Sequence, residues 1–243
     1  MEVQQVLEKN RVMHDMMRRA TVDALDLQQA AEQLQGLLQC GVYMIDQDGE
    51  LLGMQDSDHM QMFSFTELEE HHCCAETMQW LFASQQPVYN QVCGANYCSI
   101  LPVRNQFGQI GVLLCGQDEQ LFAEEQQMMM EYAATLVAVM MMRAASRKAE
   151  TEARKKNVVQ LALEVLSYSE LEAVKYIFHE IDGNEGFLVA SKLAEEYKLT
   201  RSVIVNALRK LESAGVIDAR SLGMKGTYIK ILNDYLYEEL EAI

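Results

Sequence analysis

Twenty residues near the carboxyl end, Ala190 to Arg209, constrain the fold more than any other stretch. Their apolar side chains recur where two short helices crossing at a tight turn must bury them. Counted from Ala190, slots four, five, eight, ten, fifteen and eighteen hold Leu193, Ala194, Tyr197, Leu199, Ile204 and Ala207, with small Ala194 where the helices touch. The spacing predicts a helix-turn-helix. The outward positions of the second helix are left to Thr200, Arg201, Ser202, Val205, Asn206 and Arg209. With Thr200 as cap, backbone amides, a guanidinium and two hydroxyls gather at one helix N-terminus, which suits phosphates and base edges in a major groove. Ordinary surface hairpins of helices show similar spacing, so the residues that follow carry the decision.

Those residues read as a wing. After the helix stop Ala214-Gly215 come Val216 to Arg220 with period-two character, a glycine-bounded loop from Ser221 to Gly226, and a second strand Thr227 to Ile231. Arg220, Lys225 and Lys230 supply charges that reach a backbone beside the groove. The candidate DNA contacts are Ser191, Thr200, Arg201, Ser202, Asn206, Arg209, Lys210, Arg220 and Lys225.

Charge is distributed to match. The chain carries a formal −16, yet residues 192–230 hold eight Lys and Arg against four acids, and residues 143–157 hold six against two. Residues 1–142 hold five Lys and Arg against twenty acids. A uniform charge of this sign would repel double-stranded DNA, so binding requires a local basic face on a separate domain, with strong salt dependence.

In the amino-terminal half, Val3 to Arg19 and Leu25 to Gln39 are helical in period. Gly41 to Ile45 and Glu50 to Met54 form a hairpin about Asp46-Gln47-Asp48-Gly49, and Tyr97 to Val103 with Gln109 to Cys115 form another. Phe63 to Ser84 reads as helix. From about Leu121 to Lys156 neither glycine nor proline interrupts the chain, and Phe122, Met129, Tyr132, Leu136 and Met140 make one apolar stripe ahead of a polar end. Fifteen of the sixteen methionines precede residue 143, giving a core of flexible side chains. The expected architecture is α+β, with an antiparallel sheet carrying helices in residues 1–142, a charged helical linker in 143–157 and the winged helix in 158–243. No apolar run of about 18 residues and no basic-then-apolar leader is apparent, so a cytoplasmic protein with no membrane partner is expected. The cysteines, Cys40, Cys73, Cys74, Cys93, Cys98 and Cys115, show no CxxC pair and are expected to be reduced and mostly buried.

The carboxyl third resembles one known family closely. The residues that carry the resemblance are Val158-Val159-Gln160, Leu166-Ser167-Tyr168-Ser169-Glu170-Leu171-Glu172-Ala173, Asp182-Gly183-Asn184-Glu185-Gly186, Thr200 through Ile217 and Leu222 through Lys230. They are similar to CodY, the global transcriptional regulators of low-GC Gram-positive bacteria. The resemblance implies a homodimer with a GAF domain, a linking helix and a winged helix. It also implies repression of nutrient-adaptation genes, with branched-chain amino acids and GTP as corepressors. It makes Ala190 to Arg209 the helix-turn-helix segment, with Arg201 and Ser202 foremost in DNA contact. One departure is Lys198, where the turn usually has glycine. The resemblance further implies an effector pocket with an arginine for the carboxylate and an apolar, proline-containing loop. Neither is evident: between Arg19 and Arg143 the single Arg or Lys is Arg104, which the hairpin reading puts at a turn, and Pro87 to Asn96 is too short for the loop. Free isoleucine or valine is therefore expected to do little to this protein. No GxxxxGK[ST] loop supports GTP, and Asp46-Gln47-Asp48-Gly49 reads as turn chemistry.

The residues bear on two other classes. His71-His72-Cys73-Cys74 suggests a metal- or thiol-responsive regulator, but on a helix only His71 and Cys74 would share a face, with His59 or Cys93 needed from elsewhere. His14 and His179 read as structural. No hydrolase elbow, zinc-protease, kinase or dinucleotide motif supports an enzyme.

Overall fold

A computed structural model describes residues 2–22, 25–56, 68–69, 72–94, 96–118, 120–181, 183–223 and 226–243. The chain divides into two compact units, Met1–Ser146 and Arg147–Ile243.

Unit 1 contains α1 (Glu2–Thr21), α2 (Leu27–Leu38), β1 (Gly41–Asp46), β2 (Leu51–Gln55), β3 (Leu68–Glu69), β4 (His72–Cys73), α3 (Ala75–Leu81), β5 (Val88–Cys93), β6 (Asn96–Asn105), β7 (Gly108–Asp118) and the first part of α4 (Glu124–Glu164). Its antiparallel sheet runs in the order β2-β1-β7-β6-β5. At the β1–β2 turn the Asp46 carboxylate accepts the amides of Asp48 and Glu50, and Gly49 takes φ +87, as the turn reading requires. Side chains then alternate between two cores. Val42, Met44, Leu101, Val103, Leu113 and Cys115 face α1, α2 and α4, while Tyr43, Ile45, Cys98, Ile100, Val112 and Leu114 face Leu81 of α3. With both faces covered, β7 is apolar without alternation. The helix lies close to the sheet at Gly111, where a Cβ would meet Ile45 O at 2.6 Å and Met141 Sδ at 2.8 Å.

The methionine-rich half of α4 fills this core with Met129, Met130, Met140 and Met141. By length and composition α4 contains a window apolar enough to cross a bilayer, half of it buried inside the protein, where it serves as a core helix. Tyr132, expected on the buried stripe, is 55% exposed, because the packed line runs through Met129, Ala133, Leu136 and Met140.

Among the described residues of the expected helix Phe63 to Ser84, α3 is helical while β3 and β4 are strand. Residues 57–67 and 70–71, with His59 and His71, lie outside the described residues. Ahead of α3, Cys73 N donates to Gly49 O at 2.9 Å and His72 bridges Glu50, which draws this segment against the β1–β2 turn as extended chain. Strand β5 was not expected. Its polar Tyr89-Asn90-Gln91 lacks clean alternation because it is an edge strand with a bulge, and Asn90 is left-handed at φ +55. The Asn90 side chain ties β5 to the approach to α4, accepting Phe122 N at 2.7 Å and donating to Phe122 O at 3.3 Å.

Unit 2 holds the end of α4, then α5 (Tyr168–Glu180), β8 (Glu185–Leu188), α6 (Ala190–Glu196), α7 (Arg201–Ser213), β9 (Ile217–Ser221), β10 (Thr227–Ile231) and α8 (Leu236–Glu241). Helix α4 runs unbroken through 143–157 and on to Glu164, with Val159, Ala162 and Leu163 in the core of this unit. Ser167 and Glu170 make a capping box at α5. Leu193, Ile204 and Ala207 are buried as the spacing requires, with Ala194, Tyr197 and Leu199 packed against them. Lys198 is left-handed at φ +55, crowding that costs roughly 1–2 kcal/mol for a residue with a Cβ.

Helix α7 ends in a Schellman motif: Gly215 N donates to Glu212 O at 2.9 Å and Val216 N to Leu211 O at 3.0 Å, with Gly215 at φ +70. The wing is a three-stranded sheet, β8-β10-β9, to which β8 adds a strand that the hairpin reading lacked.

Candidate nucleic-acid interface

The start of α7 exposes most of the groups that the spacing assigned to it. Thr200, Arg201, Ser202, Asn206 and Arg209 are exposed and Val205 is half-buried. Residues 201, 205 and 209 follow one another at four-residue intervals, with 202 and 206 alongside, so they form one outward stripe. Thr200 takes the extended backbone of an N-cap, φ −94 and ψ 144, but its side chain does not cap. Its hydroxyl instead lies 3.0 Å from that of Ser202. The expected cap is thus absent, and the first amides of α7 point outward without a side-chain acceptor. Among the described residues, neither Arg201 nor Arg209 pairs with a carboxylate. A helix N-terminus, two unpaired guanidiniums and two hydroxyls therefore share one surface, matched to an anion.

The other candidates divide. Ser191 is exposed in the first turn of α6. Arg220 projects from β9 and is paired with Asp218, Nη2 to Oδ2 at 2.8 Å, while its side chain stays 72% exposed. Lys225 lies outside the described residues, and Lys230 is exposed on β10 between its register partners Glu185 and Asp218.

Lys210 has a partner in the free protein. Its ammonium is used within the unit, 2.6 Å from Glu170 Oε2 and 3.1 Å from the carbonyl of Val165. One turn beyond the stripe, it fastens α7 to the start of α5.

The Glu170 carboxylate is nearly buried and accepts bonds from Lys210 and the amide of Ser167, which together hold it below the usual carboxylate range. A carboxyl that is more acidic folded than unfolded stabilises the fold at neutral pH. That contribution fades as pH falls below the ordinary carboxylate value and through the depressed one. Glu170→Gln should therefore lower the melting temperature at pH 7, and the gap from wild type should narrow toward pH 3 in parallel thermal melts. Ser167-x-x-Glu170 carries a capping-box signal that the sequence reading passed over, and its link to Lys210 is set by the tertiary structure.

Unit 1 holds a second feature. A cavity of about 250 Å³ is bounded by Pro87, by Leu101, Pro102 and Arg104 of β6, and by Glu131 and Ala138 of α4 among others. The hairpin reading put Arg104 at a turn. It lies instead in β6, where a bulge between Val103 and Arg104 shifts the register. Its guanidinium makes a single 3.3 Å hydrogen bond, to Gln85 O. The Tyr89 hydroxyl donates to Glu131 at 2.6 Å, and burial together with that carboxylate keeps its pKa well above the usual phenol range.

The cysteines are free thiols. Cys40, Cys98 and Cys115 are buried and the other three half-buried. Burial pushes Cys73 up to about 11 and raises Cys98 further, and a hydrogen bond to Cys40 together with burial raises Cys115. Cys74, bonded to Thr77, is lowered. Among the described residues no three His, Cys, Asp or Glu side chains converge as a metal site.

Comparison with known proteins matches both halves. The CodY helix-turn-helix domain matches residues 184–243 and the CodY GAF-like domain matches residues 77–165. A Global transcriptional regulator CodY from Clostridium botulinum is 39% identical, the alignment covering 98% of each chain. One from Exiguobacterium sibiricum is 40% identical, again over 98% of each. Among solved structures, the cofactor binding GAF domain of the nutrient sensor CodY from Clostridium difficile aligns with a TM-score of 0.42 at 18% identity, over 55% of this chain and 95% of that one.

Proposed function

The chain belongs to the CodY family of global transcriptional regulators, and from that premise we propose that it represses nutrient-adaptation genes by docking α7 in the major groove of operator DNA. The single observation that carries the docking assignment is the exposed stripe Arg201, Ser202, Asn206 and Arg209, its two guanidiniums paired with no carboxylate among the described residues, at the uncapped start of a thirteen-residue helix. Arg201 and Ser202 at its tip reach base edges, Thr200, Asn206 and Arg209 grip phosphates or neighbouring bases, and Ser191 and the wing residue Arg220 hold the flanking backbone. Lys210, whose ammonium Glu170 engages as Asp218 engages Arg220, and Lys225 of the wing complete the set of backbone contacts. Residues 1–142 sense an effector, 143–157 connect and 158–243 bind DNA. Two copies on one duplex read half-sites about one helical turn apart. The family resemblance points to branched-chain amino acids and/or GTP as effectors, and this chain departs from that pattern in lacking the clamp arginine and the proline-containing loop at the expected places.

The test is selection of duplexes from a random-sequence pool by the full chain. The proposal expects enrichment of a two-fold-related sequence bound roughly 10³-fold or more tightly than unselected duplex at physiological salt. Recovery of a pool no tighter than its starting material would contradict it.

A further inference from the structure

We infer that the cavity between β6 and α4 is a binding site for a dipeptide of small apolar residues, with Glu131 holding its ammonium and Arg104 its carboxylate. The first reason is where the two charges sit. Gln85 O accepts from Arg104, Pro87 borders the cavity, and the Tyr89 hydroxyl donates to Glu131, so alternate residues of one segment mark its two ends and its middle.

Helix α4 gives the same polarity. Its lining runs from Glu131 to Ala138, seven residues or about 10 Å of helix. Its later part lies level with the Arg104 end of β6, since Met141 packs on Gly111, the register partner of Val103. Glu131 and Arg104 thus stand at opposite ends, and they make no ion pair with each other.

The second reason is chemical. Arg104 is the one Lys or Arg between Arg19 and Arg143, and a bulge re-aims it at a cavity whose far end carries a carboxylate. A ligand with both charges satisfies both groups at no net cost in an acidic unit, whereas an anion would meet Glu131 and a cation Arg104. In a free α-amino acid the two charges flank a single carbon, too close to span these ends. A dipeptide separates them by two residue repeats, about 7 Å, and a hydrogen bond of about 2.8 Å at each end lengthens its reach. Between the ends the wall is apolar apart from Thr135, whose hydroxyl donates back to the Glu131 carbonyl: Leu101 is only 1% exposed, and Pro87, Pro102, Ala134 and Ala138 leave room for aliphatic side chains. By the roughly 30 Å³ of a liquid water, the cavity has the space of about eight waters.

The inference deepens the sensing role given to unit 1, and a binding assay without DNA separates its failure from that of the regulator reading. The full chain is titrated calorimetrically with Ala-Leu, N-acetyl-Ala-Leu, Ala-Leu amide and free leucine. Saturable binding of Ala-Leu is expected, weaker by about tenfold or more when either terminus is blocked, for free leucine, and for Arg104→Ala or Glu131→Gln. Both substituted side chains are exposed, and unchanged melting temperatures would establish that the variants are folded. No binding of Ala-Leu at roughly 10 mM, equal binding of free leucine, or undiminished binding by both folded variants would overturn it.

Discussion

Arg201→Ala weakens binding to the selected duplex by roughly 1–3 kcal/mol at fixed salt, a loss of about five- to 150-fold, and leaves the melting temperature unchanged. Both halves of this expectation come from the same geometry. Arg201 is exposed, pairs with no carboxylate among the described residues, and packs against nothing in the core of unit 2. The folded protein therefore loses little with it, whereas the complex loses a charge-assisted contact at the tip of α7. The loss should be larger on the selected duplex than on unselected duplex, because a residue reading base edges contributes discrimination that a phosphate contact does not. Fluorescence anisotropy at one ionic strength reads all of this. A uniform loss on both duplexes would move Arg201 from base reading to backbone contact.

Gly226→Ala, in the wing, should destabilise unit 2 by about 3 kcal/mol through two separate effects. Gly226 sits at φ +101, where a side chain is strained, and a Cβ built there lies 2.4 Å from the carbonyl oxygen of Leu188. That oxygen belongs to β8, whose Leu188 pairs with Thr227 of β10, so relieving the clash means parting two strands. The loop offers little slack, since Gly226 O accepts from Leu222 N at 2.8 Å and Gly226 N donates to Gly223 O. Chemical denaturation should show a lower midpoint. DNA affinity should fall as well, because the sheet positions Arg220. Gly223→Ala is the control: it also has a positive φ, +64, but its Cβ meets nothing within 4 Å, so it should cost less.

The helix-turn-helix was legible because short-range rules decide it. Leu193, Ile204 and Ala207 are buried by local spacing alone, and Gly215 ends α7 at the residue where the pattern stops. What escaped were features set by distant partners. The Thr200 hydroxyl serves Ser202 rather than the helix, and Lys210 is taken by Glu170, forty residues earlier in the chain. In unit 1, His72 and Cys73 sit in a helix-like stretch, yet pairing with the Glu50 turn makes them strand. Strand β5 was hidden by its edge position and polar face. Arg104 was read as a turn residue because a bulge, which sequence does not reveal, moves it to the rim of a cavity.

The central claim is that an acidic chain docks on DNA through the start of α7. Hydrogen exchange of the full chain, with and without the selected duplex, tests it most directly. Among the described residues the amides of Arg201 and Ser202 have no acceptor and Thr200 gives no side-chain cap, so these two exchange fast in the free protein, whereas Val203 N already reaches Thr200 O at 3.1 Å. The account predicts that the duplex slows exchange most over residues 200–206, with weaker protection across β9. Protection confined to other segments, with the first turn of α7 exchanging as fast as before, would contradict it.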